Sequence, residues 1–344
     1  MKSELIIVSL SLALLSCKIT HNIPQSQTPN KIVSENTFNI FVDQNGNFFP
    51  NFWEKNYGKH KKRGAYSLNT LAIQNSMEDS LKKSESQTLR DIKNFTSNKK
   101  RIVILIHGYN NSESTANKSF NRIREIITPN PSKDAFIEFH WDGLVAYNKS
   151  SSIKIWFNAT GYSQLAGEFG LRRILNALSH KEILIISHSR GASVVLSALS
   201  NPPYNPKFAN DTMNFHKIEV GSGEDLKENN NSINCIMLAP AIGNVDFKNP
   251  RKTNYRNFSR QLKSIQITIN NTDPILKKYI AKGRLSDNFN PTDLGYSQNT
   301  YNELSRIYTI MDSTNYSGMK SHKFIDYIEN PKFKLMISNT GFEL

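Results

Sequence analysis

Apolar residues in this chain come in two spacings, and the two alternate. Short runs, unbroken at Ile102–Ile106, Ile183–Ile186 and Cys235–Ala239 and interrupted by single polar residues at Phe136–Trp141, Ile265–Ile269 and Ile307–Met311, are the first spacing. Runs this short and this rich in β-branched residues predict strands buried on both faces. Between them, apolar residues recur every three or four positions: Ala116, Phe120, Ile123 and Ile127; Leu171, Ile174, Leu175 and Leu178; Ala192, Val195, Leu196 and Leu199. That spacing predicts helices with one buried stripe. Strand–helix alternation predicts an α/β fold, a mostly parallel sheet with helices on both faces. Chemistry in such sheets collects at the carboxyl ends of the strands.

Upstream the pattern changes. Phe38–Val42 and Phe48-Phe49 flank Asp43-Gln44-Asn45-Gly46-Asn47, and Asn-Gly between apolar runs predicts a β-hairpin preceding the sheet. A helix is predicted between Ser76 and Phe95. Residues 18–37 are polar, carry Pro24 and Pro29, and read as a flexible tether. A polar, Asn-rich stretch at 201–231 reads as an insertion within one domain spanning 38–344.

The chain has 344 residues, of which 38% are hydrophobic and 21% charged, values of a globular protein. Its formal net charge of +14 is spread along the sequence, with modest clusters at Lys59–Arg63 and Arg251–Lys263. No zinc-finger, RNP-like or basic-helix pattern accompanies it, so nucleic acid is not an expected partner. Met1-Lys2 precedes an apolar run from Leu5 to Leu15, too short to span a bilayer and suited to a signal-peptide core. Leu14-Leu15-Ser16-Cys17 resembles the lipobox of bacterial lipoproteins. The resemblance implies a signal peptide over 1–16, a lipid on Cys17, export, and anchoring at the cell envelope. Cys235 would then be the one remaining thiol, kept inert by burial in its apolar run. The eight histidines show no metal-ligand spacing, and no Gly-rich phosphate loop is present. No cofactor and no metal are therefore expected.

The strand Ile183–Ile186 runs through Ser187-His188-Ser189-Arg190-Gly191 into the helix that starts at Ala192. A turn that sharp needs small residues two before and two after its corner, and Ser187 and Gly191 supply them. Ser189 at the corner has the geometry of a nucleophile elbow, with its hydroxyl lifted clear of the sheet and facing a helix N-terminus. The strand Ile102–Ile106 ends in His107-Gly108-Tyr109-Asn110.

A strand ending in His-Gly, followed later by a serine elbow, resembles the α/β-hydrolase superfamily of serine hydrolases over roughly 101–330. The elbow departs from G-x-S-x-G by carrying Ser187 at the first glycine. The resemblance implies that the backbone N–H groups of Tyr109 and Arg190 form an oxyanion hole, with His107, Gly108 and Asn110 bracing the loop. It also implies the chain order serine, acid, histidine. His216 sits in the polar insertion, whereas His322 follows the last strand and precedes a helix begun by Phe324, Tyr327 and Ile328. Asp273, at the end of Ile265–Ile269 and before Pro274, occupies the usual acid position, and Asp246 is the substitute. Asp312 lies too close to the last strand.

These residues predict a serine hydrolase acting on an ester or related acyl bond of a small molecule, lipid or glycan. Ser189, His322 and Asp273 would form its triad. The alternative is a lipid-anchored binding or scaffold protein that keeps the fold without turnover, favoured by Ser187 and by the bulky Arg190, a side chain that would otherwise engage an anionic substrate group.

Overall fold

The structure is a computed structural model, and it describes residues 19–58, 66–127, 129–146, 149–203, 223–248, 255–277 and 292–342. Eight strands form its central sheet: β1 Lys31–Ser34, β2 Thr37–Phe41, β3 Arg101–Ile106, β4 Asp134–His140, β5 Glu182–His188, β6 Ser232–Leu238, β7 Leu262–Ile269 and β8 Met311–Asn315. Their order is β1-β2-β4-β3-β5-β6-β7-β8. Every neighbouring pair is parallel except β1 with β2.

Side-chain alternation along each strand divides the core in two. Ile102, Ile104 and Ile106 of β3 enter one apolar cluster, and Val103 and Leu105 enter the other. The helices α1 Glu78–Phe95 and α2 Glu113–Ile127 form where the periodicity predicts them, and α2 buries Ala116, Phe120, Ile123 and Ile127. The stripe at Leu171–Leu178 ends a longer helical run, made of α3 Lys149–Leu165, a π-helical stretch Ala166–Leu171, and α4 Arg172–Ala177. That run packs on α5 Gly191–Leu199, all nine residues of which are buried. On the other face, α2 is joined by α6 Phe324–Glu329 and α7 Lys332–Asn339.

Three predicted elements differ. Phe38–Val42 does form a strand, β2, yet it joins the central sheet and takes its antiparallel partner from β1, upstream. The Asp43–Asn47 turn closes an isolated bridge, Val42 with Phe48. Phe49 is instead buried beside Trp53, Tyr57 and Tyr66 in a satellite cluster, so the second arm gains its burial without a ladder. The tether read over 18–37 is folded from Ile19 onward: Ile19–Thr20 pairs with Val145–Ala146, and Lys31–Ser34 is β1. The last strand is displaced from Ile307–Met311 to Met311–Asn315. As an edge strand it needs little apolar character, while Tyr308 and Ile310 reach the core from a turn and Ile307 is exposed. Residues 204–222 of the insertion, with His216, lie outside the described residues, as do 1–18 with the signal segment and Cys17. Cys235 is free and buried, and burial pushes its thiol up from the usual range.

The π-helical stretch brings two helices together backbone to backbone. A Cβ on Gly167 would lie 2.4 Å from the Val194 carbonyl oxygen and 2.6 Å from Ser197 Cβ. Gly167→Val should therefore destabilise the protein by about 1–3 kcal/mol through overpacking. Denaturant unfolding measures the loss, and Gly58→Val, at a position with no atom near the added Cβ, is a contrast in which only backbone strain acts.

Candidate active site

Strand β5 ends at His188, and Ser189 follows with φ 52°, a left-handed conformation that costs a non-glycine residue about 1–3 kcal/mol. The turn is held on both sides: Ser189 N–H donates to Leu238 O (2.9 Å) and Ala241 N–H donates to Ser189 O (3.2 Å). A Cβ on Gly191 would stand 2.7 Å from the His107 carbonyl oxygen, so only glycine lets α5 pass this close to the end of β3. Ser187 is fully buried, and its Oγ has no hydrogen-bond partner among the described residues. The departure from glycine thus fits sterically and leaves a polar group unsatisfied.

The loop after β3 crosses directly over the elbow. A Cβ on Gly108 would lie 2.9 Å from Ser189 Cβ and 3.1 Å from His188 Nδ1. His107 is buried and does not face the cavity: its Nδ1–H donates to Gly108 O (2.7 Å) and its Nε2 accepts from Trp141 N–H (3.3 Å). Burial pushes its pKa down to about 4, so it is neutral at ordinary pH. Asn110 adopts φ 56°; its N–H donates to Gly143 O (3.0 Å) and its Oδ1 accepts from Ala146 N–H (2.8 Å). Both side chains hold the loop. The backbone N–H groups of Tyr109 and Arg190 donate to no acceptor among the described residues.

His322 lies beside Ser189, with Nε2 2.9 Å from Oγ and Nδ1 2.8 Å from Asp273 Oδ2. An ionised carboxylate only accepts, so Nδ1 carries the proton and Nε2 offers a lone pair to the Ser189 hydroxyl. Asp273 is fully buried; its Oδ1 accepts from the N–H groups of Ile275 (2.9 Å) and Leu276 (3.1 Å), and Oδ2 also accepts from Tyr327 OH (2.8 Å). Burial alone would raise this carboxyl, but the His322 hydrogen bond and charge, with the Leu276 and Tyr327 bonds, outweigh it and hold it below its usual range. The loop carrying His322 is tied to the same turn: Asn270 Nδ2 donates to Met319 O (2.8 Å) and Gly318 N–H to Thr272 Oγ1 (2.8 Å).

Asp246, the substitute acid, is buried away from His322; it lies 3.6 Å from Arg190 Nη2 and accepts from Gly243 N–H. The Arg190 side chain is wholly buried, donates to Ala241 O (2.7 Å) and does not line the cavity, so it engages no substrate group there. Two residues at the site were not singled out from the sequence. Tyr327 binds Asp273, and His188 donates from Nε2 to the His322 carbonyl (2.9 Å) while stacking on Phe324 at 4.8 Å. His188 Nδ1 is buried without a partner among the described residues. A cavity of about 620 Å³ opens over Ser189 and His322, bounded by Tyr109, Thr115 and Ile275, with Lys118, Lys320 and Lys323 at its edge.

A mostly parallel sheet with helices on both faces, carrying a strand-to-helix serine turn, a neighbouring loop and a histidine–carboxylate pair at its strand ends, has the layout of an α/β-hydrolase. The chain belongs to that class: residues 82–288, more than half of its length, match the family described as Alpha/beta hydrolase of unknown function (DUF900). No curated protein matches it. Among solved structures it is similar to an acetylxylan esterase, with 11% identity over 62% of this chain and 99% of the other and a TM-score of 0.33. It is also similar to Est1E from Butyrivibrio proteoclasticus, with 12% identity over 71% of this chain and 86% of the other and a TM-score of 0.30. The family assignment rests on the sequence match and not on these distant likenesses.

A carboxyl held below its unfolded value contributes stability above about pH 4, and that contribution is lost as pH falls through the folded value. Asp273→Asn removes this titration. The melting temperature of the wild type should therefore drop more steeply between pH 6 and pH 3 than that of Asp273→Asn, as thermal melts across that range would record.

Proposed function

We propose that this protein is a serine hydrolase that cleaves an ester or related acyl bond through a covalent acyl-enzyme. The observation that carries the reading is the line from Ser189 Oγ to His322 Nε2 and from His322 Nδ1 to Asp273, beside two backbone N–H groups that have no acceptor among the described residues. In this reading Ser189 Oγ attacks the substrate carbonyl carbon while His322 Nε2 takes the hydroxyl proton. The carbonyl oxygen becomes an oxyanion and accepts from Tyr109 N–H and Arg190 N–H; loss of one such donor costs about 100- to 1,000-fold in kcat. Collapse breaks the bond to the leaving group, which departs with the proton from His322. Water then attacks the acyl-serine, gives its proton to His322, and the second collapse returns that proton to Ser189 and frees the acid. Asp273 stays ionised, fixes the imidazole tautomer and stabilises the imidazolium. On sequence grounds the enzyme is assigned to the bacterial cell envelope through a lipid on Cys17.

Charge at the mouth narrows the substrate. Lys118, Lys320 and Lys323 are exposed there and no carboxylate lines the cavity among the described residues, so the three cations outweigh nearby Asp326, which hydrogen-bonds Ser321. Esters bearing a negative charge next to the scissile bond fit this mouth better than neutral ones.

A fluorophosphonate probe should label the wild type and fail to label Ser189→Ala; unlabelled wild type removes the reading. Hydrolysis of p-nitrophenyl acetate should fall by about 10,000-fold in His322→Ala. For substrate charge, kcat/KM for 3-acetoxybenzoate should exceed that for its methyl ester by roughly tenfold at low salt, and the ratio should shrink as salt shortens the reach of the lysines.

A further inference from the structure

The segment Ile19–Asn22 lies more than eighty residues in sequence from any part of the site, yet it is linked through the loop after β4 to the loop that carries Tyr109. We propose that this segment is a positioning element for the oxyanion loop, acting through His21, Asn22 and the buried carboxylate of Asp142. The proposal rests on the hydrolase reading above.

Two routes join the segment to the loop. In the first, Ile19–Thr20 pairs antiparallel with Val145–Ala146, and Ala146 N–H donates to Asn110 Oδ1 (2.8 Å). In the second, Asp142 gathers both sides: His21 Nδ1 and Asn22 N–H (2.9 Å) reach it from the segment, and Leu144 N–H (3.2 Å) reaches it from the loop after β4. Asn22 Nδ2 donates to Trp141 O (3.2 Å), and Trp141 binds His107 twice, through N–H to Nε2 (3.3 Å) and through Nε1–H to His107 O (2.7 Å). His107 is the residue before Gly108. The loop after β4 in turn sits under Tyr109, where a Cβ on Gly143 would lie 2.9 Å from Tyr109 Cα, and Gly143 O accepts Asn110 N–H.

The pair at the hub is buried, with side-chain exposures of 6% for His21 and 2% for Asp142. Burial would raise the Asp142 carboxyl, but the His21 charge and hydrogen bond, with the Asn22 and Leu144 amides, hold it below the usual range. A buried carboxylate with several fixed donors resists displacement, because moving any donor away leaves charge uncompensated. The left-handed Asn110 and Leu144 (φ 56° and 54°) lie on the two loops this hub connects. Strained backbone of that kind persists when its surroundings over-determine it. An oxyanion donor acts from about 2.7–3.1 Å and weakens as it drifts from that distance, so slack in this brace is felt in the transition state more than in substrate binding. Cys17 precedes Ile19 by two residues, so a lipid attached there has at most about 7 Å of chain before the brace begins.

The test uses the full chain with His21→Ala, Asn22→Ala and the conservative His21→Asn, whose amide N–H takes the place of Nδ1–H. On p-nitrophenyl acetate, both alanine variants should lose about 10- to 100-fold in kcat with KM within about twofold of wild type, and His21→Asn should recover most of the loss. Hydrogen exchange at the Asn110 amide should accelerate at least tenfold in His21→Ala and stay near wild type in His21→Asn. Wild-type kcat and wild-type Asn110 exchange in both alanine variants would overturn the proposal. So would a loss that appears as a lowered melting temperature with kcat, KM and Asn110 exchange unmoved. Wild-type protein that hydrolyses no ester and takes no fluorophosphonate would overturn the hydrolase reading and with it the catalytic role. Asn110 exchange still reports on the brace itself in that event.

Discussion

The site is built on one close crossing. The chain turns from β5 into α5 at a left-handed Ser189, and two glycines make the turn possible: Gly191 against the His107 carbonyl and Gly108 against Ser189 Cβ. Neither position has room for a methyl group, so the end of β3 and the start of α5 are locked at a fixed separation. That separation aims the Ser189 hydroxyl outward and brings the backbone N–H groups of Tyr109 and Arg190 to the same rim. The conformational cost at Ser189 is met by the packing of α5, which is buried along its whole length. Left-handed non-glycine residues also follow β3, β4 and β6, at Asn110, Leu144 and Ala239. Four adjacent strands thus each end in a strained turn, and all four turns bound one rim.

Around this crossing the proton positions follow from which groups can only accept. Asp273 accepts four hydrogen bonds, so the proton on His322 is fixed at Nδ1 and the lone pair at Nε2. The His322 carbonyl can only accept, so His188 donates from Nε2 and its Nδ1 is left as a buried lone pair. Gly108 O accepts from His107 Nδ1, which leaves Nε2 for the Trp141 amide. Three neighbouring histidines are therefore each set in one tautomer, and burial disfavours charge on His107 and His188.

How much of this was legible in the sequence depended on whether the signal was local. Strands such as Ile102–Ile106 and Ile183–Ile186 were readable because they are buried on both faces and made wholly of apolar residues. Ser189, Asp273 and His322 could be picked out as candidates because each lies on a segment leaving a strand, and the structure brings the three within hydrogen-bond reach of one another. The edges were not: Met-Asp-Ser-Thr-Asn in β8 is half solvated, and Lys31–Ser34 is wholly exposed, so neither carries a burial pattern. His21 was unreadable for a different reason. Its partner Asp142 is 121 positions away, and the surrounding sequence looks polar because the carboxylate it serves is absent from the local window. Tyr327 and His188 were visible as an apolar helix residue and as the variable position of the elbow; their hydrogen bonds exist only once the loops meet.

Arg190 shows how one residue can serve the elbow from two directions. A bulky charged residue beside Ser189 looks unsuited to so tight a turn, and on sequence grounds it favoured a scaffold without turnover. In the folded chain only its backbone faces the rim. The side chain runs beneath the turn to Ala241 O, and Ala241 N–H reaches back to Ser189 O, so the guanidinium and one peptide unit staple the elbow to the loop after β6. Asp246 at 3.6 Å keeps that guanidinium from being an uncompensated buried charge, although burial still lowers the pKa of Arg190 and raises that of Asp246. The acid that the sequence offered as a substitute for Asp273 is thereby assigned different work. It balances the cation that fixes the turn, and it leaves His322 to a carboxylate whose other donors are already in place.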